Sequence, residues 1–190
     1  VIKLIAEELE SFGIAPSLTN KGSLSALIPG KNPLPKKALA AHVDTLGAMV
    51  KEIKGNGRLS FAPIGGYPMS SIDCENCLIH TASGEIYTGT VYCIKPAVHI
   101  HDDAKTLPRT LENMEIVLDE KVHSSDDTEK LGIMVGDFIT FDPRFQFTKS
   151  GFIKSRHLDD KASVAILMGL CKHIMENNII LEDPVQILIT

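Results

Sequence analysis

The sequence predicts an α/β domain interrupted by a smaller β-rich, barrel-like insert. Three observations carry this reading. Helix and strand patterns alternate near the start of the chain. Between about 58 and 150 they give way to short strands separated by glycine turns. At 151 strand, helix and strand follow one another again, which is a βαβ pattern and implies a parallel sheet. The borders divide the chain into 1–57 and 151–190, two parts of the α/β domain, and 58–150, the insert.

Val1 to Phe12 places apolar residues at 1, 2, 4, 5, 9 and 12, close to helical spacing, and Gly13 suits the stop. Ser23 to Ile28 reads as a strand after the Lys21-Gly22 turn, and Pro33 and Pro35 mark a loop. Lys37 to Val43 is a mostly apolar run and reads as a buried strand; Leu46 to Ile53 is a further strand of the first domain. Gly55-Asn56-Gly57 and Gly65-Gly66 are turns. Strands follow at Cys77 to Thr81, Ile86 to Ile94 and Met114 to Leu118. Ser124 or Ser125 caps a short helix over 126–131, with Asp126 and Asp127 favourable at its N-terminus. Phe138 to Phe141 and Phe145 to Phe147 close the insert. Gly151 to Ser155 reads as a strand. Asp159 to Asn177 reads as a helix with Ala162, Ala165, Ile166, Leu170, Ile174 and Met175 along one face, and 185–190 as a last strand.

Composition narrows the function classes. Of 190 residues 44% are hydrophobic and 23% charged, a globular balance. The net charge of -5, from 24 acids and 19 bases, lacks the basic excess of a nucleic-acid binder. No apolar run reaches the ~18 residues of a membrane span. Four cysteines without a secreted framework make the cytoplasm the expected compartment. The chain opens inside a helix pattern and closes on an apolar strand, so it reads as a fragment cut at both ends.

Two places concentrate chemistry. His42-Val43-Asp44 closes the strand 37–43, and ligands of open α/β sheets collect at the carboxyl ends of strands. There a histidine can bind a metal through one ring nitrogen while a carboxylate fixes its tautomer. A hydrogen-bonded strand end is the plain alternative. Asp159-Asp160-Lys161 opens the long helix, where N-capping is the plain alternative. Two metal-competent residues at two strand ends make a stronger case than either alone.

The stretch Ala40-Ala41-His42-Val43-Asp44-Thr45-Leu46-Gly47-Ala48-Met49-Val50 resembles the first metal-ligand motif of the two-metal glutamyl and deblocking aminopeptidases, a family of tetrahedral dodecamers. Gly151 to Ala165, centred on Leu158-Asp159-Asp160-Lys161, resembles its second motif, and the β-rich block between them is similar too. The resemblance implies a zinc-exopeptidase-like mixed-sheet catalytic domain. His42 would bind one metal, Asp159 would bridge two, and Asp44 would act beside them as a catalytic residue orienting the site. It further implies zinc or cobalt, peptide substrates cleaved at their N-terminus, and a homo-oligomer built through the insert. The family's Glu–Glu pair and its remaining Asp and His ligands are expected past Thr190, so the site in this chain is incomplete and the chain inactive. The sequence departs from the pattern at Thr45, Lys161 and Ser163.

Other signals are weaker. Two-zinc carboxypeptidases and dipeptidases share His-x-Asp and Asp-x-Lys but lack a block between them; here His42 and Asp159 stand 117 positions apart. A non-catalytic module capturing peptides by strand addition is the reading from another class. Cys74-Glu75-Asn76-Cys77 lacks a second ligand pair and precedes a strand, so ordinary thiols are expected. His99-Ile100-His101-Asp102-Asp103 is expected in a solvated loop, Asp126-Asp127 and Glu129-Lys130 on an exposed helix face, and His157 no nearer than beside the metal ligands.

Overall fold

Residues 1–34 and 37–190 are described by a computed structural model of the chain; the loop expected at Pro35 lies partly outside them. Helix α1, Ile2–Ser11, buries Ile5 and Leu9 and ends at Phe12. Gly13 follows at φ +81°, a left-handed turn that a side chain would strain. The helix begins the first of two compact units, Val1–Thr45 with Thr148–Thr190.

The sheet of this unit has four strands: β1 Pro16–Leu18, β2 Leu24–Ile28, β3 Lys37–Ala41 and β12 Val185–Ile189, in the order β1-β2-β12-β3. Strand β12 runs antiparallel to β2 and parallel to β3, with Ile187 opposite both Ala26 and Leu39. The sheet is therefore mixed. Helix α3, Lys161–Glu176, buries Val164, Leu167, Cys171 and Ile174. With Ile5, Leu9, Leu24, Ile28, Ile187 and Ile189 these make one core.

Three expectations need correction here. The strand expected over 151–155 is only β11, Ile153–Lys154, and it pairs with β10, Gln146–Phe147, in a two-stranded ribbon outside the four-stranded sheet. The parallel partner of β12 is β3, so the βαβ unit read at 151–190 does not form. The buried face of α3 is offset from the expected one: Ala162, Ala165, Ile166 and Leu170 are exposed, and of the six only Ile174 is fully buried. The helix is apolar on more than one side, and periodicity then cannot say which side packs.

The second unit, Leu46–Phe147, is a closed barrel in the order β4-β5-β8-β7-β6-β9. Its strands are β4 Gly47–Ile53, β5 Leu59–Ile64, β6 Asn76–His80, β7 Ile86–Cys93, β8 Met114–Leu118 and β9 Phe138–Phe141. The strand expected over 46–53 therefore exists but pairs with β5 and β9 of the barrel, and the unit begins at Leu46 rather than 58. Alternation along each strand sends one set of side chains inward. Leu59, Ile79, Val91, Met114, Ile116 and Ile139 fill the interior as a separate core. Helix α2, Ser125–Lys130, is capped by Ser124, whose Oγ accepts from the Asp127 N–H at 3.2 Å.

Two buried carboxylates brace the barrel. Arg144 Nε donates to Glu75 Oε1 at 2.9 Å, and its Nη2 lies 2.8 Å from Oε2. Glu115 takes Lys54 Nζ at 2.9 Å and also Arg58. Burial alone raises the Glu115 carboxyl, but the hydrogen bonds from Lys54 and Arg58 outweigh it and leave the group below the ordinary carboxylate range. A carboxyl depressed in the folded state stabilises above its unfolded value, ~4.3. That contribution is lost as pH falls through the folded value. We expect the urea midpoint of the wild type to fall below pH ~4.3 more steeply than that of Glu115→Gln, followed by circular dichroism. Parallel declines in the two proteins would remove Glu115 as a source of acid sensitivity.

Candidate metal centre

His42 directly follows β3. The ladder continues past the strand: Thr190 N donates to Ala41 O at 3.0 Å and Val43 N to Thr190 O at 2.8 Å, so the backbone on both sides of His42 is pinned to β12. A residue so held presents its ring from a fixed point. Asp44 stands two positions on, and Asp159 lies in the turn between β11 and α3, where the Asp159–Asp160 peptide bond is cis.

These three side chains meet although 42 and 159 are distant in sequence. His42 Nε2 lies 3.2 Å from Asp159 Oδ1, and His42 Nδ1 lies 2.9 Å from Asp44 Oδ1. The second contact is close enough for an ion pair but is not aligned as a hydrogen bond. The Asp159 side chain is 93% exposed and that of Asp44 83%, so neither carboxylate is spent on the protein interior. The capping alternative for the Asp pair does not hold, because Asp160 occupies the N-cap of α3 without a side-chain hydrogen bond to the helix. Sequence spacing reports Lys161 only as a departure from arginine. In the structure its Nζ is buried and has no hydrogen-bond partner among the described residues. No periodicity or motif signals that burial.

An imidazole nitrogen and carboxylate oxygens are the donors that zinc and cobalt accept. The carboxylate at Nδ1 is the partner that commonly orients a metal-ligating histidine. The residues present thus fit one corner of a metal centre. They do not complete it: no group of three or more His, Cys, Asp or Glu side chains able to hold an ion occurs among the described residues.

The competing candidates fall elsewhere. Cys74 is exposed and Cys77 lies in β6; all four cysteines are free. Burial, then the charges of Asp119 and Glu75, push the Cys77 thiol up to about 12, and burial likewise raises Cys74 and Cys171. A raised thiol disfavours the thiolate that redox work needs. His99 to Asp103 lie in the turns between β7 and β8, where Lys95 Nζ holds Asp103 Oδ2 at 2.6 Å. His157 is half-buried, its backbone N–H donating to Ser155 Oγ at 3.3 Å. No helix among the described residues is long and apolar enough to cross a membrane.

Comparison with known proteins adds an independent line. The "Putative aminopeptidase YhfE" of Bacillus subtilis (strain 168) is 51% identical over 190 residues, covering 100% of this chain and 55% of that protein. The chain thus spans about half the length of this relative. Among solved structures, the TET aminopeptidase from the marine sediment archaeon Thaumarchaeota archaeon SCGC AB-539-E09 superposes with a TM-score of 0.86 at 22% identity, over 99% of this chain and 52% of that one. The Pyrococcus horikoshii TET1 peptidase, described as assembling into a tetrahedron or a large octahedral shell, gives 0.80 at 22% identity, over 99% and 54%. These structural likenesses establish the shared fold. The profile of the family described as M42 glutamyl aminopeptidase matches residues 22–190, which include His42, Asp44 and Asp159. The chain belongs to the M42 glutamyl aminopeptidase family.

Proposed function

We propose that this chain carries part of the catalytic centre of a metal-dependent aminopeptidase that releases N-terminal residues from peptides. The observation that carries the reading is the His42 imidazole held between Asp44 and Asp159. In this reading His42 and Asp159 would be the residues of this chain that hold the divalent ions. Asp44, 2.9 Å from Nδ1, would help to hold the orientation of the ring. Two such ions, zinc or cobalt, supply an acidified water and a polarised carbonyl when bound. The pinning of residues 41 and 43 to β12 fixes where the ring nitrogen is presented. The exposed carboxylate of Asp159 keeps its second oxygen available.

The wider reading follows the family. We place the protein in a homo-oligomer of the tetrahedral kind, assembled through the barrel, and in the cytoplasm; the free cysteines support a reducing compartment. Peptides are the substrates. The 190-residue chain alone is inactive, because His42 and Asp159 are two ligands where a closed pair of ions needs more.

Titration calorimetry tests this. Two ligands offset little of the dehydration of a divalent ion, so zinc should bind the isolated chain far more weakly than a complete site binds it. His42→Ala should remove what binding there is. Two zinc ions bound at sub-micromolar affinity, or turnover of an aminoacyl substrate by this chain, would show that ligands come from residues outside the trio. Zinc binding unaltered in His42→Ala would take the metal away from this site.

A further inference from the structure

Helix α3 carries a second apolar face, and among the described residues it lies open. Val164, Leu167, Cys171 and Ile174 pack into the core. On the other side Ile166 is 71% exposed and Leu170 38%, and Ala162, Ala165 and Gly169 are exposed with them. The stretch from Ala162 to Cys171 includes no charged side chain. Beyond it Lys172 Nζ and Glu176 Oε1 lie 3.8 Å apart, so these two charges are matched within the helix. A surface helix has one apolar stripe and a polar back, whereas a helix apolar on both sides is a buried one.

The open face has a relief. Residues four apart line up in rows along a helix surface. Ala162, Ile166 and Leu170 form one row, and Ala165, Gly169 and His173 the next. The first row stands tall at its two large side chains. The second is low, and a Cβ added at Gly169 would stand in open space. A ridge of this kind beside a groove is the surface into which a second helix packs, with axes about 8–10 Å apart. Alanine and glycine in the groove allow the short end of that range.

The occupant follows from length. This chain spans about half of its relatives, so a protein of their length brings nearly as many residues again and can cover the face without a second copy. We propose that the outer face of α3 is the docking surface for an amphipathic helix from the other part of a protein of that length. Large side chains of that helix enter the row of Ala165 and Gly169, and small ones face Ile166 and Leu170. Its docking stripe is uncharged, because an ion buried against this face would find no partner. Lys161 opens α3 one residue beyond the Asp159–Asp160 pair, so the covering helix also holds the element that presents the Asp159 carboxylate.

Gly169→Leu should act with opposite sign in the two lengths of chain. In the 190-residue chain it replaces the least favourable helix residue after proline at an open position. The melting temperature, followed by circular dichroism, should rise by about 2–4 °C. In a protein of the relatives' length the same leucine stands where the second helix comes closest, and the melting temperature should fall. Ile166→Cys gives a second readout, pulse-labelled with a maleimide and located by peptide mass spectrometry. It should react at least about tenfold more slowly in the longer protein than in the 190-residue chain. A raised melting temperature in both lengths, or equal labelling in both, would leave the face in water and overturn the proposal. Labelling of the 190-residue chain that slows as its concentration rises would assign the face to a second copy and overturn it equally.

Discussion

Asp159→Asn, made in a protein of the relatives' length that carries this sequence, is expected to lower peptide hydrolysis by about three orders of magnitude or more. The estimate rests on charge. A bridging carboxylate neutralises part of the repulsion between two dications and fixes their spacing, while a neutral amide does neither. A loss of about 4 kcal/mol in transition-state stabilisation corresponds to roughly a thousand-fold in rate. His42→Ala should act in the same direction through loss of one nitrogen ligand. Asp44→Asn should cost less at saturating metal, because its contact with Nδ1 orients the ring without supplying the bridge. The Asp159 side chain is 93% exposed, so the substitution should leave the melting temperature unchanged and the loss can be read as chemistry. The check is kcat and KM on an aminoacyl substrate across zinc and cobalt concentrations. Near-normal turnover at any metal concentration would free Asp159 of the role.

His42 and Asp159 were each legible as candidates because each sits in a local pattern that survives reading one stretch at a time. One closes an apolar strand and the other precedes a helix. The structure adds what no local pattern contains, that the two turns are neighbours, with 3.2 Å between Nε2 and Oδ1. Barrel strands β6 to β9 were legible for a similar reason: alternation is local, and the glycine turns mark their ends.

What was not legible is pairing. Gly47–Ile53 reads as an apolar strand in any sheet, and only its ladders to β5 and β9 place it in the barrel. Ile153–Lys154 reads as a sheet strand before a helix, yet its partner is the short β10. Three-residue β1 has no alternation long enough to detect. The last strand, β12, lies between β2 and β3, and the edges of the sheet are β1 and β3. Helix α3 failed on another ground, since Ile166 and Leu170 are exposed while Val164 and Leu167 are buried, and both sets fit a 3.6-residue period.

Ile116→Ala is expected to destabilise the barrel by about 2–5 kcal/mol, the cost of emptying a buried isoleucine site that collapses incompletely. Ile116 is fully buried, pairs with Val91 in β7, and makes the residue pairing that joins β8 to β5 at Leu59. It also lies over a position that has no side chain. A Cβ built at Gly89 would stand 3.1 Å from Ile116 Cγ2 and 2.8 Å from the carbonyl oxygen of Val117. Gly89→Ala should therefore cost about 1–3 kcal/mol by overpacking. The two changes share space. Removing Cγ2 relieves one of the two close approaches, and the new methyl fills part of the cavity, while the conflict with the Val117 carbonyl stays. The double mutant should thus be more stable than the sum of the single losses predicts, by at least about 0.5 kcal/mol, the onset of coupling between residues in contact. Urea denaturation of the four proteins of this cycle measures it. Strict additivity would mean that Gly89 is set by the backbone carbonyl of β8 alone, and that the isoleucine does not press on the glycine.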